Sequence, residues 1–99
     1  MVAHAFSAEL WRYDGDAGWF FVSLPTELSD VIRQEHPPLI TSGFGSVRVS
    51  VRIGSSQWAT SVFPDRARGT YLLPVKKSVR LTEGLDAGDR VLVELTVLS

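Results

Sequence analysis

Between Phe6 and Tyr13 the side chains alternate, with Phe6, Ala8 and Leu10 on one side and Ser7, Glu9, Trp11 and Tyr13 on the other. That period of two predicts a first strand. Asp14 to Gly18 supplies turn formers, and the aromatic and β-branched run Trp19 to Leu24 predicts a second strand closing a hairpin with the first. Pro25 gives no donor to a ladder and suits a helix start, so a helix is expected from Pro25 to Glu35 with Leu28, Val31 and Ile32 as its apolar face. His36, Pro37 and Pro38 end it, because a residue before proline is pushed out of helical geometry. Val47, Val49, Val51 and Ile53 then alternate with Ser46, Arg48, Ser50 and Arg52, predicting a strand with an aliphatic inner face and arginines outside. Gly54 and Ser55 turn the chain into a fourth strand, Gln57 to Phe63, and Pro64 to Gly69 reads as a polar connection. The remainder predicts a strand at Thr70 to Leu73, a short helix after Pro74 reaching about Leu81, a turn at Gly84 to Gly88 and a last strand at Arg90 to Leu98.

The order of parts repeats. WFFVSLPTELSDVIR and TYLLPVKKSVRL share an aromatic-led strand, Leu-Pro, and a serine four residues after the proline; Leu24, Pro25 and Ser29 match Leu73, Pro74 and Ser78 at a constant offset of 49. A strand precedes each unit, and a glycine-containing loop and a long alternating strand follow it. Two copies of strand, strand, helix, strand predict one mainly β domain over residues 1 to 99, with halves at about 4–53 and 56–98. Six strands in two equivalent halves close most simply into a pseudo-twofold barrel without exposed edges.

Composition narrows the function classes. Ninety-nine residues with 44% hydrophobic content fit one domain able to bury a core. The absence of cysteine excludes disulfides, thiolate metal sites and cysteine nucleophiles, and suits a cytoplasmic location. The N-terminus lacks the form of a signal peptide, and no apolar run is long enough for a membrane helix. The net charge of −1 hides an uneven distribution. Residues 48 to 80 carry Arg48, Arg52, Arg66, Arg68, Lys76, Lys77 and Arg80 against Asp65 alone, whereas acidic side chains outnumber basic ones on either side. An anion belongs in the middle third.

Several stretches together resemble a known family. WFFVSLP, GFGSVRVSVRIG, the W-x-x-S-x-F-P of residues 58 to 64, GTYLLPVKKSVR and GDRV, in this order and spacing, are similar to the bacterial family of uncharacterised domains DUF1905. The resemblance implies a double-split β-barrel of six strands and two short helices, with no assigned activity and no catalytic residue. YLLPVKKSVRLTEGLDAGDRVLVEL also resembles the swapped-hairpin half-barrel of AbrB-type transcription regulators, homodimers in which basic residues near the proline-helix junction help to contact DNA.

Candidate chemistry follows from charge and aromatics. Arg48, Arg52, Lys76, Lys77 and Arg80 are the candidate anion-binding residues, since guanidinium and ammonium groups pair with phosphate or carboxylate. Trp19, Trp58 and Tyr71 are candidate pocket or rim aromatics. His4 and His36 stand without neighbouring ligands, so no metal or cofactor is expected. Ser29, Ser61 and Ser78 lack a histidine base, which argues against a serine hydrolase. Gly43 to Ser46 lacks the lysine and following helix of a phosphate loop. These features predict a noncatalytic binding or interaction module, monomeric or weakly dimeric, whose partner is a protein or a small anionic ligand. DNA or RNA binding of the AbrB kind and an enzyme acting on a small anionic metabolite are the alternatives. The net negative charge weighs against nucleic acid.

Overall fold

The computed structural model describes residues 2–15, 18–35 and 45–98. The elements are β1 (Ala3–Arg12), β2 (Phe20–Ser23), α1 (Thr26–Glu35), β3 (Val47–Ile53), β4 (Ser56–Asp65), β5 (Thr70–Pro74), α2 (Lys77–Glu83) and β6 (Arg90–Val97). The tip of the first turn at Asp16 and Ala17, the helix stop at His36 to Pro38, and Gly43 and Phe44 of the glycine loop lie outside the described residues.

All strand pairings are antiparallel, and the sheet closes on itself in the order β1-β2-β5-β4-β3-β6. Exchanging β1, β2 and β3 with β4, β5 and β6 reproduces the same ring of neighbours. The alternating positions behave as the sequence predicts. Val47, Val49, Val51 and Ile53 are buried, as are Val91, Val93 and Leu95 on β6, and they meet Leu10, Val22, Val62 and Leu73 in one apolar interior. Arg48 and Arg52 point outward from the same strand.

Three boundaries differ from expectation for identifiable reasons. β1 starts at Ala3, before Phe6, because Ala3, His4 and Ala5 pair with Thr96, Leu95 and Glu94 of β6. β4 continues through Pro64 to Asp65, which the sequence had assigned to a connection. Tyr71 turns its backbone groups toward β2, where its carbonyl accepts the Leu24 N–H at 2.9 Å and its N–H donates to Ser29 Oγ at 3.0 Å. The Pro64–Tyr71 pair is therefore a non-hydrogen-bonded one, and the proline costs the β4–β5 ladder nothing. α2 begins at Lys77, because Val75 after Pro74 is still part of the core and its N–H extends the β2–β5 ladder to the Phe20 carbonyl.

The helix faces also differ. α1 buries Leu28, Ser29 and Ile32, while Val31, expected inside, is 38% exposed. The hydrogen bond from Tyr71 N–H to Ser29 Oγ lies on the buried side of the helix and accompanies this rotation. The matched serine of the second unit, Ser78, is exposed, and only Val79 of α2 is buried. The repeat thus holds for the order of elements but not for helix phase.

Glu83 at the end of α2 fastens that helix to the β3–β4 turn. Its carboxylate accepts the hydroxyls of Ser56 at 2.7 Å and Ser55 at 3.0 Å and the Ser55 N–H at 3.4 Å. A side chain at Gly54 would run into the carboxylate, and Gly54 also has φ +58, so glycine serves this turn twice. The hydroxyl bonds from Ser56 and then Ser55 hold the Glu83 carboxyl below its ordinary value of 4.5. A carboxyl whose pKa is lowered by folding stabilises the protein above its unfolded value, and that contribution disappears as pH falls through the lowered folded value. Glu83→Gln is therefore expected to be less stable than the parent near neutral pH, with the gap shrinking on acidification. Urea unfolding of both proteins along a pH series checks this, and a gap independent of pH would show that ionisation of Glu83 is irrelevant.

Candidate functional site

β2 and β5 run antiparallel side by side, so the helices that follow them leave at opposite ends of the barrel. α1 covers its end with Leu28, Ser29 and Ile32. α2, with 7 residues against the 10 of α1, buries Val79 alone and leaves a cleft of about 310 Å³ at its end. The inner wall of this cleft comes from strand positions that share the facing of the core: Trp58 opposite Val51, Thr60 opposite Val49, Phe20 two residues from Val22, and Val75. Trp19, Lys76, Lys77 and Arg80 are also in the lining.

The cations here sit on aromatic rings. The Arg80 guanidinium lies 3.8 Å from the centroid of the Phe20 ring, and its Nε donates to the Val75 carbonyl at 3.2 Å. Lys76 Nζ is 5.9 Å from the centre of the Trp58 ring. No acidic side chain is among the described residues lining the cleft, and neither lysine nor Arg80 makes an ion pair among the described residues. Stacking and the single Nε bond fix the plane of the Arg80 guanidinium without neutralising it. A cleft with apolar walls and positive charge that no described acidic side chain offsets is suited to a small anion.

Three of the five candidate cations, Lys76, Lys77 and Arg80, share this cleft with Trp19 and Trp58. Arg48 and Arg52 do not. They lie on the outer face of β3, where Arg48 stands opposite Ser61 of β4 and Arg52 opposite Glu94 of β6. Arg52 belongs to a separate, mixed-charge groove with Glu83, Arg90 and Glu94. Arg68 is paired with Asp65 at 2.7 Å and lies 4.1 Å over the Trp11 ring, and that hydrogen-bonded pair lowers the Asp65 pKa. Tyr71 is not at a rim; it is 1% exposed and sits in the core between β2 and β4. Phe20 is the residue that sequence reasoning missed. The aromatic run Trp19 to Leu24 marks a strand without showing which of its rings face inward, and the role of Phe20 as a platform for Arg80 follows only from β2 and β5 being neighbours.

On the outside of the β1–β2 hairpin, Trp11, Tyr13 and Trp19 gather around Phe21, and Trp11 donates from Nε1 to Ser23 Oγ at 3.0 Å. Trp19 stacks on Phe21 with ring centres 6.0 Å apart and remains 52% exposed, which places it at the border between this cluster and the cleft. No group of three or more potential metal ligands occurs among the described residues, and no described helix is long and apolar enough to cross a membrane.

The fold and cleft define a class: a small closed antiparallel barrel with a helix at each end and a cationic, aromatic mouth at one of them. The chain belongs to the family described as Domain of unknown function (DUF1905), whose model matches residues 6–95. No curated protein matches the chain.

Proposed function

We propose that this domain is a noncatalytic binding module that holds a small anionic ligand in the α2-end cleft. The supporting observation is the convergence of Lys76, Lys77 and Arg80 on a cleft whose described lining contains no carboxylate. An arriving phosphate or carboxylate would gain charge-assisted hydrogen bonds without breaking an ion pair. No described residue of the lining offers a nucleophile beside a general base, so the reading stops at binding. A cytoplasmic setting and a monomeric state accord with it, the first through the cysteine-free composition and the second through a barrel closed within one chain. Nucleic acid binding of the AbrB kind finds less support, because the basic residues divide between a recessed cleft and the outer face of β3 instead of forming one continuous stripe.

The test is a thermal-shift titration with inorganic phosphate, pyrophosphate and citrate at low ionic strength. At least one is expected to raise the melting temperature, with the effect falling as salt screens the cations. The Lys76→Glu/Lys77→Glu double variant should weaken binding by about tenfold or more, since each lost charged hydrogen bond is worth on the order of 1.5–3 kcal/mol. Arg48→Glu, on the outer face of β3, should leave binding unchanged. Equal losses in both variants would point to diffuse charge and against the cleft.

A further inference from the structure

We infer that the ligand of this cleft joins a flat aromatic or heteroaromatic ring to its phosphate or carboxylate. This inference rests on the reading of the cleft as an anion site and adds the chemistry of the uncharged part. Anion binding by itself calls for donors and positive charge, yet the cleft has Trp58 and Phe20 in its wall and Trp19 at its edge. Phe20 is already engaged by Arg80, and Lys76 stands near the Trp58 ring. Trp19 is different. It has no cation on it among the described residues, stacks on Phe21 with an interplanar angle of 8°, and remains half exposed at the cleft.

A large indole left open to water next to cations gives a ligand ring a stacking surface, while the three cations take its anionic group. The cleft volume of about 310 Å³ lies at the small end of the range for small-molecule sites, which suits one ring system with one or two anionic groups. Held by Phe20 and the Val75 carbonyl, Arg80 presents a guanidinium of fixed plane, so a planar carboxylate or a phosphate edge meets two donors without reorganising them.

Intrinsic tryptophan fluorescence of the full chain tests this with paired probes: phenyl phosphate and adenosine 5′-monophosphate against inorganic phosphate, and benzoate against acetate. At least one ring-bearing anion should bind about tenfold or more tightly than its ringless counterpart and quench the emission. Trp19→Ala should abolish that preference while retaining phosphate binding, and Trp19→Phe should restore part of it. Ringless anions binding as tightly as ring-bearing ones, or a preference that survives Trp19→Ala, would overturn the inference and leave the anion site standing. No response to any anion would overturn both.

Discussion

Residues 1 to 54 expressed alone are expected to give an unfolded chain or a dimer, and not a folded monomer. The barrel has six seams between strands, and of these only β1–β2 joins two strands belonging to that segment. β3 loses both its neighbours, β4 and β6, and β2 loses β5. A single hairpin is marginal in water, and the aliphatic faces of β1 and β3 would be left uncovered. Because the ring of neighbours is unchanged when the halves are exchanged, a second copy of the segment can occupy the places of β4, β5 and β6. Its β1, β2 and β3 would supply the missing seams in an isologous dimer. Size-exclusion chromatography with light scattering, together with urea unfolding, separates the outcomes. A monomeric fragment that unfolds cooperatively would show that the two halves are independent and that the shared barrel is not what stabilises them.

The second large effect is expected at Ser29. Its hydroxyl, fully buried, accepts the Tyr71 N–H where the β2–β5 ladder gives way to helix α1. Ser29→Ala leaves that amide without its partner, at a cost of about 1–3 kcal/mol, partly offset by roughly 0.5 kcal/mol from the better helix propensity of alanine. For a domain of this size each kcal/mol moves the melting temperature by about 4–8 °C, so a fall of several degrees is expected. Ser78→Ala, at the matched position of the other unit, removes an exposed hydroxyl and should change stability by less than about 0.5 kcal/mol. Thermal melts of the two variants check the contrast. Equal effects would mean that the Ser29 bond contributes nothing beyond what water supplies.

The pair of serines also shows how far the amino-acid order could be read. The matching offset of Ser29 and Ser78 correctly indicated two similar successions of elements, yet the two hydroxyls lie in different surroundings. Helix phase depends on what lies beneath. α1 is fixed by a bond from a strand 42 residues away, and α2 is displaced because Val75 stays in the core. β3 was legible in full, since its strict alternation and its burial state the same thing. β5 was legible as a strand but not in its facing, because Tyr71, Leu72 and Leu73 are all buried and no alternation marks which of them faces inward. The candidate site was half legible. Lys76, Lys77 and Arg80 adjoin in sequence and in space, whereas Arg48 and Arg52 were grouped with them only by charge and lie on the outer face of a different strand. The contact of Arg80 with Phe20 bridges 60 residues and follows only from closure of the β2–β5 seam.

Pro64 has a consequence beyond the fold. Past Val62, β4 no longer pairs with β3, and for Phe63, Pro64 and Asp65 its only described neighbour is β5. A stretch of strand with a described partner on one side alone is the kind on which a strand from another molecule can seat itself, and Phe63 there is 41% exposed. Pro64 has no N–H to offer an incoming strand, so a growing aggregate would find an interrupted template. A residue that does not end its own strand thus denies one backbone donor to any strand added on that side.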